Sequence, residues 1–280
     1  RIARLQKAIF QLMADPNIKD EVVMGLAQFS TQSNSSNASI TADGRTGKIV
    51  VPAAPLTSTQ RAAILAQVAA MRASNGTPTG HAYAEAAAYM MGTTTAETLT
   101  IRRDSYREYF SSGSWRYQTC NTLNNINYTT FTQTCKSWNS ETTTRPSTAT
   151  TGSYVSGSRT IYTVNVAAAG RSGFTNSVTA SKSGSVYLSP LPTVADDEKE
   201  CNGQGIYFLT DGEPNSSDMP LVLMRKALND TSFNESGGLP SGTQSENAMP
   251  EVGAFAKRLF SGSNPAGVEI KTAVVGFGRV

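Results

Sequence analysis

Four consecutive apolar residues, Ile206-Tyr207-Phe208-Leu209, run into Thr210-Asp211-Gly212-Glu213-Pro214. An apolar run of this length bounded by turn residues predicts a buried strand of a parallel sheet. In open α/β sheets, ligands sit in the crevice outside the carboxyl ends of the strands. Asp211 is thereby expected where a carboxylate can hold a metal or a substrate. The competing reading is an aspartate that accepts hydrogen bonds within its own turn.

Around this strand the chain alternates helices and strands. Ile2, Leu5, Ile9, Leu12 and Met13 share one helical face, and Asp15-Pro16 closes that helix. Residues 22–30 predict a buried strand. Ile40-Thr41 and residues 48–51 flank Asp43-Gly44 as a hairpin whose second arm stops at Pro52. Thr57 and Gln60 have the form of a capping box, ahead of a helix with Ile64, Leu65, Val68 and Met71 on one face. Residues 75–80 form a polar loop into an alanine-rich helix that reaches Met91. Pro78 suits the first helical position there, with Thr77 as N-cap. His81 then reads as an ordinary surface or half-buried residue. Pro220 opens a helix to Leu228, residues 229–249 read as a loop, Pro250 starts a helix to Phe260, and residues 268–277 predict a strand.

Residues 93–200 differ in character. Ser and Thr fill 38 of these 108 positions, and 12 of the chain's 22 aromatic residues lie here, Trp115 and Trp138 among them. Disordered chains are poor in aromatics, so the stretch predicts an ordered insertion of short twisted strands. Residues 160–166 and 185–188 are its best strands, while residues 103–110 carry the one helical period. The alternation outside it predicts an α/β fold, a doubly wound, mostly parallel sheet flanked by helices. Residues 1–92 and 201–280 are read as two parts of one domain and 93–200 as its insertion.

Charge and cysteine usage exclude several functions. The formal net charge is +3 and no Lys/Arg cluster tracks phosphates, which argues against nucleic acid. No apolar stretch reaches the length of a membrane helix. With only 16% charged residues, solubility rests on Ser, Thr, Asn and Gly, a composition associated with secreted or surface proteins. Cys120, Cys135 and Cys201 form no CxxC pair for zinc. Cys120 and Cys135 enclose a polar segment and are the expected disulfide, with Cys201 left over; a pairing of Cys201 with either one is the alternative.

Two loops are read together, Gly76-Thr77-Pro78-Thr79 and Leu209-Thr210-Asp211-Gly212. Their pairing resembles the von Willebrand factor A domain, whose metal-ion-dependent adhesion site takes a threonine from one loop and an aspartate from the next. The wording NGTPTGHAYAEAA, GIYFLTDGEPN and IKTAVVGFG further looks like the amino-terminal domain of the PilC/PilY family of type IV pilus tip adhesins. The resemblance covers residues 1–92 and about 201–280. It implies Thr77 as a direct hydroxyl ligand, Asp211 as a direct or water-bridged one, and Thr79, Gly76 and Gly212 as support for the metal loops. The implied cofactor is a divalent cation, Mg²⁺ foremost, with Mn²⁺ or Ca²⁺ as alternatives. Hard cations of this kind take oxygen ligands and retain waters.

The resemblance also implies an extracellular location at a pilus tip or outer cell surface, and adhesion to a host or surface ligand offering a carboxylate. Minor pilins or other tip components are the further implied partners. In this family an aspartate and two serines of a DxSxS loop complete the metal site, on a strand ahead of the first helix. That strand is expected before Arg1, and a last helix and strand after Val280. A scaffold or force-bearing domain in pilus assembly, without a working metal site, is the alternative. An enzyme is not expected, because the DxDx[TV] pattern of an aspartyl phosphatase is missing.

Overall fold

A computed structural model describes residues 2–29, 46–72, 76–127, 130–191, 203–210, 217, 219–234 and 249–276. In chain order the elements are α1 (Ile2–Ala14), β1 (Val23–Phe29), β2 (Gly47–Pro55), α2 (Ser58–Ala70), α3 (Thr79–Met91), β3 (Thr98–Ser111), β4 (Ser114–Leu123), β5 (Thr132–Gln133), β6 (Cys135–Trp138), β7 (Gly152–Ser156) and β8 (Arg159–Ala169). A 3₁₀ turn (Thr179–Ser181), β9 (Lys182–Ser183), β10 (Val186–Tyr187), β11 (Gln204–Thr210), α4 (Pro220–Leu228), α5 (Met249–Phe260) and β12 (Ile270–Gly276) follow. They form two compact units. The first comprises residues 1–97 and 171–280, the second residues 98–170.

In the first unit α1 and α2 cover the β1–β2 pair. Ile9, Met13, Val51, Leu56, Ile64 and Val68 form the core between them, and Leu209 of β11 packs against it. Arg61 locks this corner by donating to the carbonyls of Leu56, Met13 and Ile18 at 2.9, 2.7 and 2.6 Å. Strand β2 runs beyond Pro52 to Pro55, because register shifts between Met24 and Ala27 leave Pro52 without a ladder position to fill. Those shifts also bring Gly25 against β2, where a Cβ would lie 2.8 Å from the backbone of Val51 and Ala53. The sequence places residues 22–30 in a buried strand, yet β1 is only half-buried. Half of the capping box forms. Thr57 Oγ1 accepts from the Gln60 N–H at 3.4 Å, whereas the Gln60 side chain donates across to Met24 and Pro52 carbonyls, both at 2.8 Å.

The expected parallel strands meet in β11–β12, paired from Gln204↔Ile270 to Thr210↔Gly276. This pair is buried on one face and not on both. Tyr207 is 74% exposed and Val274 61%, so the apolar run reflects an alternation with apolar residues on both sides. The inner face meets α3, where Tyr83 sets its ring edge against Phe208 and Phe255 at centroid distances of 5.3 and 5.0 Å. Nearly every residue of α3 is buried, as befits a helix that is alanine-rich all round. Its small side chains permit close approach: a Cβ on Gly47 would lie 2.7 Å from the Ala82 Cα.

The second unit is built on an antiparallel sheet in the order β6-β4-β3-β8-β7, with the short β5 alongside β3. Ser112 and Gly113, both at positive φ, make the tight β3–β4 turn. Cys120 and Cys135 are disulfide-bonded across β4 and β6. Residues 103–110, read from sequence as helical, lie in strand β3. A bulge at Ser105 is the reason, since it spaces the buried residues Leu99, Ile101, Asp104 and Tyr106 irregularly. The architecture is therefore mixed α/β. Its largest sheet is mostly antiparallel, and five α-helices stand among the described residues.

Candidate functional site

The first of the two loops singled out from the sequence leads into α3. Thr77 is half-buried and its carbonyl accepts from the Thr79 N–H at 2.8 Å. The helix starts one residue later than the sequence reading: Pro78 occupies the cap position and Thr79 opens the first turn, without a side-chain cap. Thr79 is 7% exposed, and its Oγ1 is buried without a hydrogen-bond partner among the described residues. Buried hydroxyls are ordinarily paired, because an unpaired one carries its full desolvation cost.

Strand β11 ends at Thr210, immediately before Asp211. Asp211 and Gly212 lie outside the described residues, as does Cys201. The chain is next described at Ser217, and there it is fastened to the same helix start. The Gly80 N–H donates to Ser217 Oγ at 3.2 Å, and the Met219 N–H donates to His81 Nε2 at 3.1 Å. Thr210 thus stands at the carboxyl end of β11, and Ser217 and Met219 at the amino end of α3. His81 is fully buried, in contrast to the surface or half-buried position read from sequence. Its burial is made tolerable by a backbone donor that no local pattern announces.

One turn further along α3, Tyr83 hydrogen-bonds to Thr272 of β12, and burial raises its phenol to about 12. Glu85 follows, fully enclosed. It accepts from Thr95 Oγ1 at 2.6 Å, from the Gly173 N–H at 2.8 Å and from the Tyr187 hydroxyl. Burial pushes its carboxyl up to about 7, while those three donors and the charge of Lys182 pull the other way. Ser177 extends the network by contacting the Tyr187 hydroxyl at 2.7 Å and accepting from the Ile49 N–H at 2.9 Å. The sequence reading gave His81 no role and passed over Glu85. The available signal for Glu85 was its place as the sole charged side chain in an alanine-rich helix.

Thr77, Thr79 and Ser217 supply hydroxyls near the start of α3. That set suits a hard, oxygen-seeking cation and does not suit zinc. Among the described residues no group of three or more His, Cys, Asp or Glu is placed to hold a metal. The chain has no significant match among protein-family models, curated proteins or solved structures.

Proposed function

We propose that the first unit is a von Willebrand A-like, metal-ion-dependent adhesion domain of a type IV pilus tip or bacterial surface protein. In this reading β11 and β12 belong to a doubly wound sheet, with β1–β2 at its antiparallel edge. Thr77 and Asp211 hold a divalent cation, Mg²⁺ foremost, and Thr79, Gly76 and Gly212 support the loops. The observation that carries the reading is the buried hydroxyl of Thr79, which has no hydrogen-bond partner among the described residues and lies at the helix start to which Ser217 is fastened. A hydrated cation held by the neighbouring loop would give that hydroxyl a water to bond, in keeping with Thr79 as loop support. When bound, the cation supplies an electrophilic position for a partner's carboxylate. The chain's own residues orient the loops around it, and no catalytic role is assigned.

A scaffold without a working metal site is the second reading. It is favoured by the hydrogen bonds of Ser217 and Met219, which fasten these two residues to α3 without help from a cation. Melting of the full-length protein with added Mg²⁺ or Mn²⁺ separates the two. A cation that binds only the folded state raises the melting temperature by mass action. The adhesive reading expects that rise, its loss in Asp211→Ala, and adhesion that EDTA abolishes. Identical cation response and adhesion in Asp211→Ala would leave the scaffold.

A further inference from the structure

The second unit carries a face that the metal-loop reading leaves unused. Because Ser105 is the extra residue of the bulge against β8, Arg102, Asp104, Arg107 and Tyr109 of β3 project from the same side of the sheet. Three guanidiniums on that side lie over aromatic rings from neighbouring strands. Arg102 sits 5.9 Å from the Tyr154 ring centre, Arg107 4.6 Å from Trp138, and Arg159 4.8 Å from Tyr109.

Charge is unbalanced here. Residues 98–170 hold seven Arg and Lys against three Asp and Glu, a net +4, which exceeds the +3 of the whole chain. Asp104 is buried and engaged by the Tyr154 hydroxyl at 3.0 Å and the Cys135 N–H at 2.9 Å. Glu108 belongs to the opposite face, with Tyr162 and with Arg145 at 3.6 Å. Glu141, which accepts from Tyr109, is the exposed acid on the cationic side. The Arg107 guanidinium is disfavoured first by burial and then by the charge of Arg159, with Glu141 offsetting part of this. Arg159 Nε is buried without a hydrogen-bond partner among the described residues. Like charges held together are the complement of an anion.

We propose that this face binds an acidic polysaccharide, sulfated or carboxylated, through the guanidiniums of Arg102, Arg107 and Arg159. A guanidinium fork matches an oxyanion with two parallel hydrogen bonds. The rings beneath hold the long side chains in place, so less freedom is lost on binding. Each ring is already occupied by a cation, which removes the base-stacking platform that single-stranded nucleic acid uses. Asn165 is exposed on this side of the sheet and offers an amide for sugar hydroxyls, in place of the apolar pockets that anchor peptides. The proposal is independent of the metal loop, so its failure and that of the adhesive reading are distinguishable.

The test is binding of the full chain to fluorescent heparin at physiological salt. Arg102→Ala/Arg107→Ala/Arg159→Ala should weaken it at least about a thousandfold, since charged hydrogen bonds contribute about 1.5–3 kcal/mol each and 1.4 kcal/mol is tenfold. The corresponding triple Lys variant keeps the charge, should fold even where the Ala variant does not, and should still weaken binding about tenfold by losing the fork. Arg145→Ala, which removes an Arg stacked on Tyr162 of the opposite face, should leave binding unchanged, and so should EDTA. Polyglutamate and oligothymidylate should compete at least tenfold more weakly than heparin. The proposal is overturned by failure to bind heparin, by full binding in the Lys variant, or by an Arg145→Ala loss equal to that of the triple variants. Loss with EDTA, or equal competition by oligothymidylate or polyglutamate, overturns it as well.

Discussion

His81 accepts at Nε2 a hydrogen bond from the backbone N–H of Met219, 3.1 Å away and 138 residues further along the chain. A donor at Nε2 requires a neutral imidazole with its proton on Nδ1. His81→Leu fills similar space and leaves that buried N–H unpaired. We expect a loss of about 1–3 kcal/mol in urea unfolding, the cost of one unsatisfied buried donor. His81→Gln, which keeps an acceptor, should lose less. Equal stability of the Leu variant and the wild type would show that the bond carries no weight.

The Thr79 hydroxyl leads to an expectation of opposite sign. Thr79→Val removes a buried oxygen that has no protein partner among the described residues. Without cation the variant should be more stable than wild type by about 1 kcal/mol, because the desolvation cost disappears. With Mg²⁺ the order should reverse, since the wild type gains binding energy that the variant has lost. Thermal unfolding of both proteins in EDTA and in excess Mg²⁺ reads this crossing directly.

Losses from Thr77→Ala and Asp211→Ala distinguish a shared ion from separate local roles. Two independent caps would each cost about 1 kcal/mol and add. A shared cation makes the double variant in Mg²⁺ scarcely worse than either single one. Additive losses in a double-mutant cycle would count against the shared site.

Glu85 gives the first unit a pH dependence whose sign is unusual for a carboxylate. Burial raises its folded-state pKa from 4.5 to about 7. Below pH 4.5 both states are protonated and the contribution is fully present. Between there and about 7 the unfolded chain releases its proton while the folded one retains it. Stability therefore falls as pH rises through this window, by about 3 kcal/mol at 1.36 kcal/mol per unit. Glu85→Gln should flatten the profile between pH 4.5 and 7 in urea titrations, although its amide meets donors from Thr95 and Gly173 and lowers the baseline. An unchanged slope would assign the dependence to other groups.

The disulfide of the second unit is the simplest to test. Closing a loop of about 15 residues contributes roughly 3 kcal/mol in the chain-entropy account. Cys120→Ser/Cys135→Ser should lower the stability of this unit by about that amount, and non-reducing peptide mapping should recover Cys120 joined to Cys135. A Cys120–Cys201 peptide would contradict the structure.

Much of the first unit was legible because its signals are local. Pro220 and Pro250 mark helix starts, and the alanine-rich run to Met91 matches the end of α3. What stayed hidden depends on distant partners. Nothing near His81 or Glu85 names the Met219 N–H, Thr95, Gly173 or Tyr187 that make their burial possible. In β3 the failure was one of parity. Arg103, Arg107 and Phe110 recur at helical spacing, and the Ser105 bulge breaks the two-residue alternation that would have marked a strand. In β11 the exposed Tyr207 imitates a core residue, so the apolar run exaggerates its burial. The candidate site was half legible: the sequence brings Thr77 and Thr79 to notice, but not Ser217.

The burial of α3 has a consequence for the order in which the protein is made. Its apolar sides are closed by Phe208, Phe255 and Leu223, and its first turn by Ser217, all synthesised more than a hundred residues after it. All strand pairings of the second unit lie within residues 98–170, so it can complete itself while α3 still waits. During synthesis this alanine-rich helix is therefore exposed until β11 and β12 emerge. A nascent chain of this design needs a chaperone to shield residues 79–91, and stalling it before residue 204 should leave a species that aggregates.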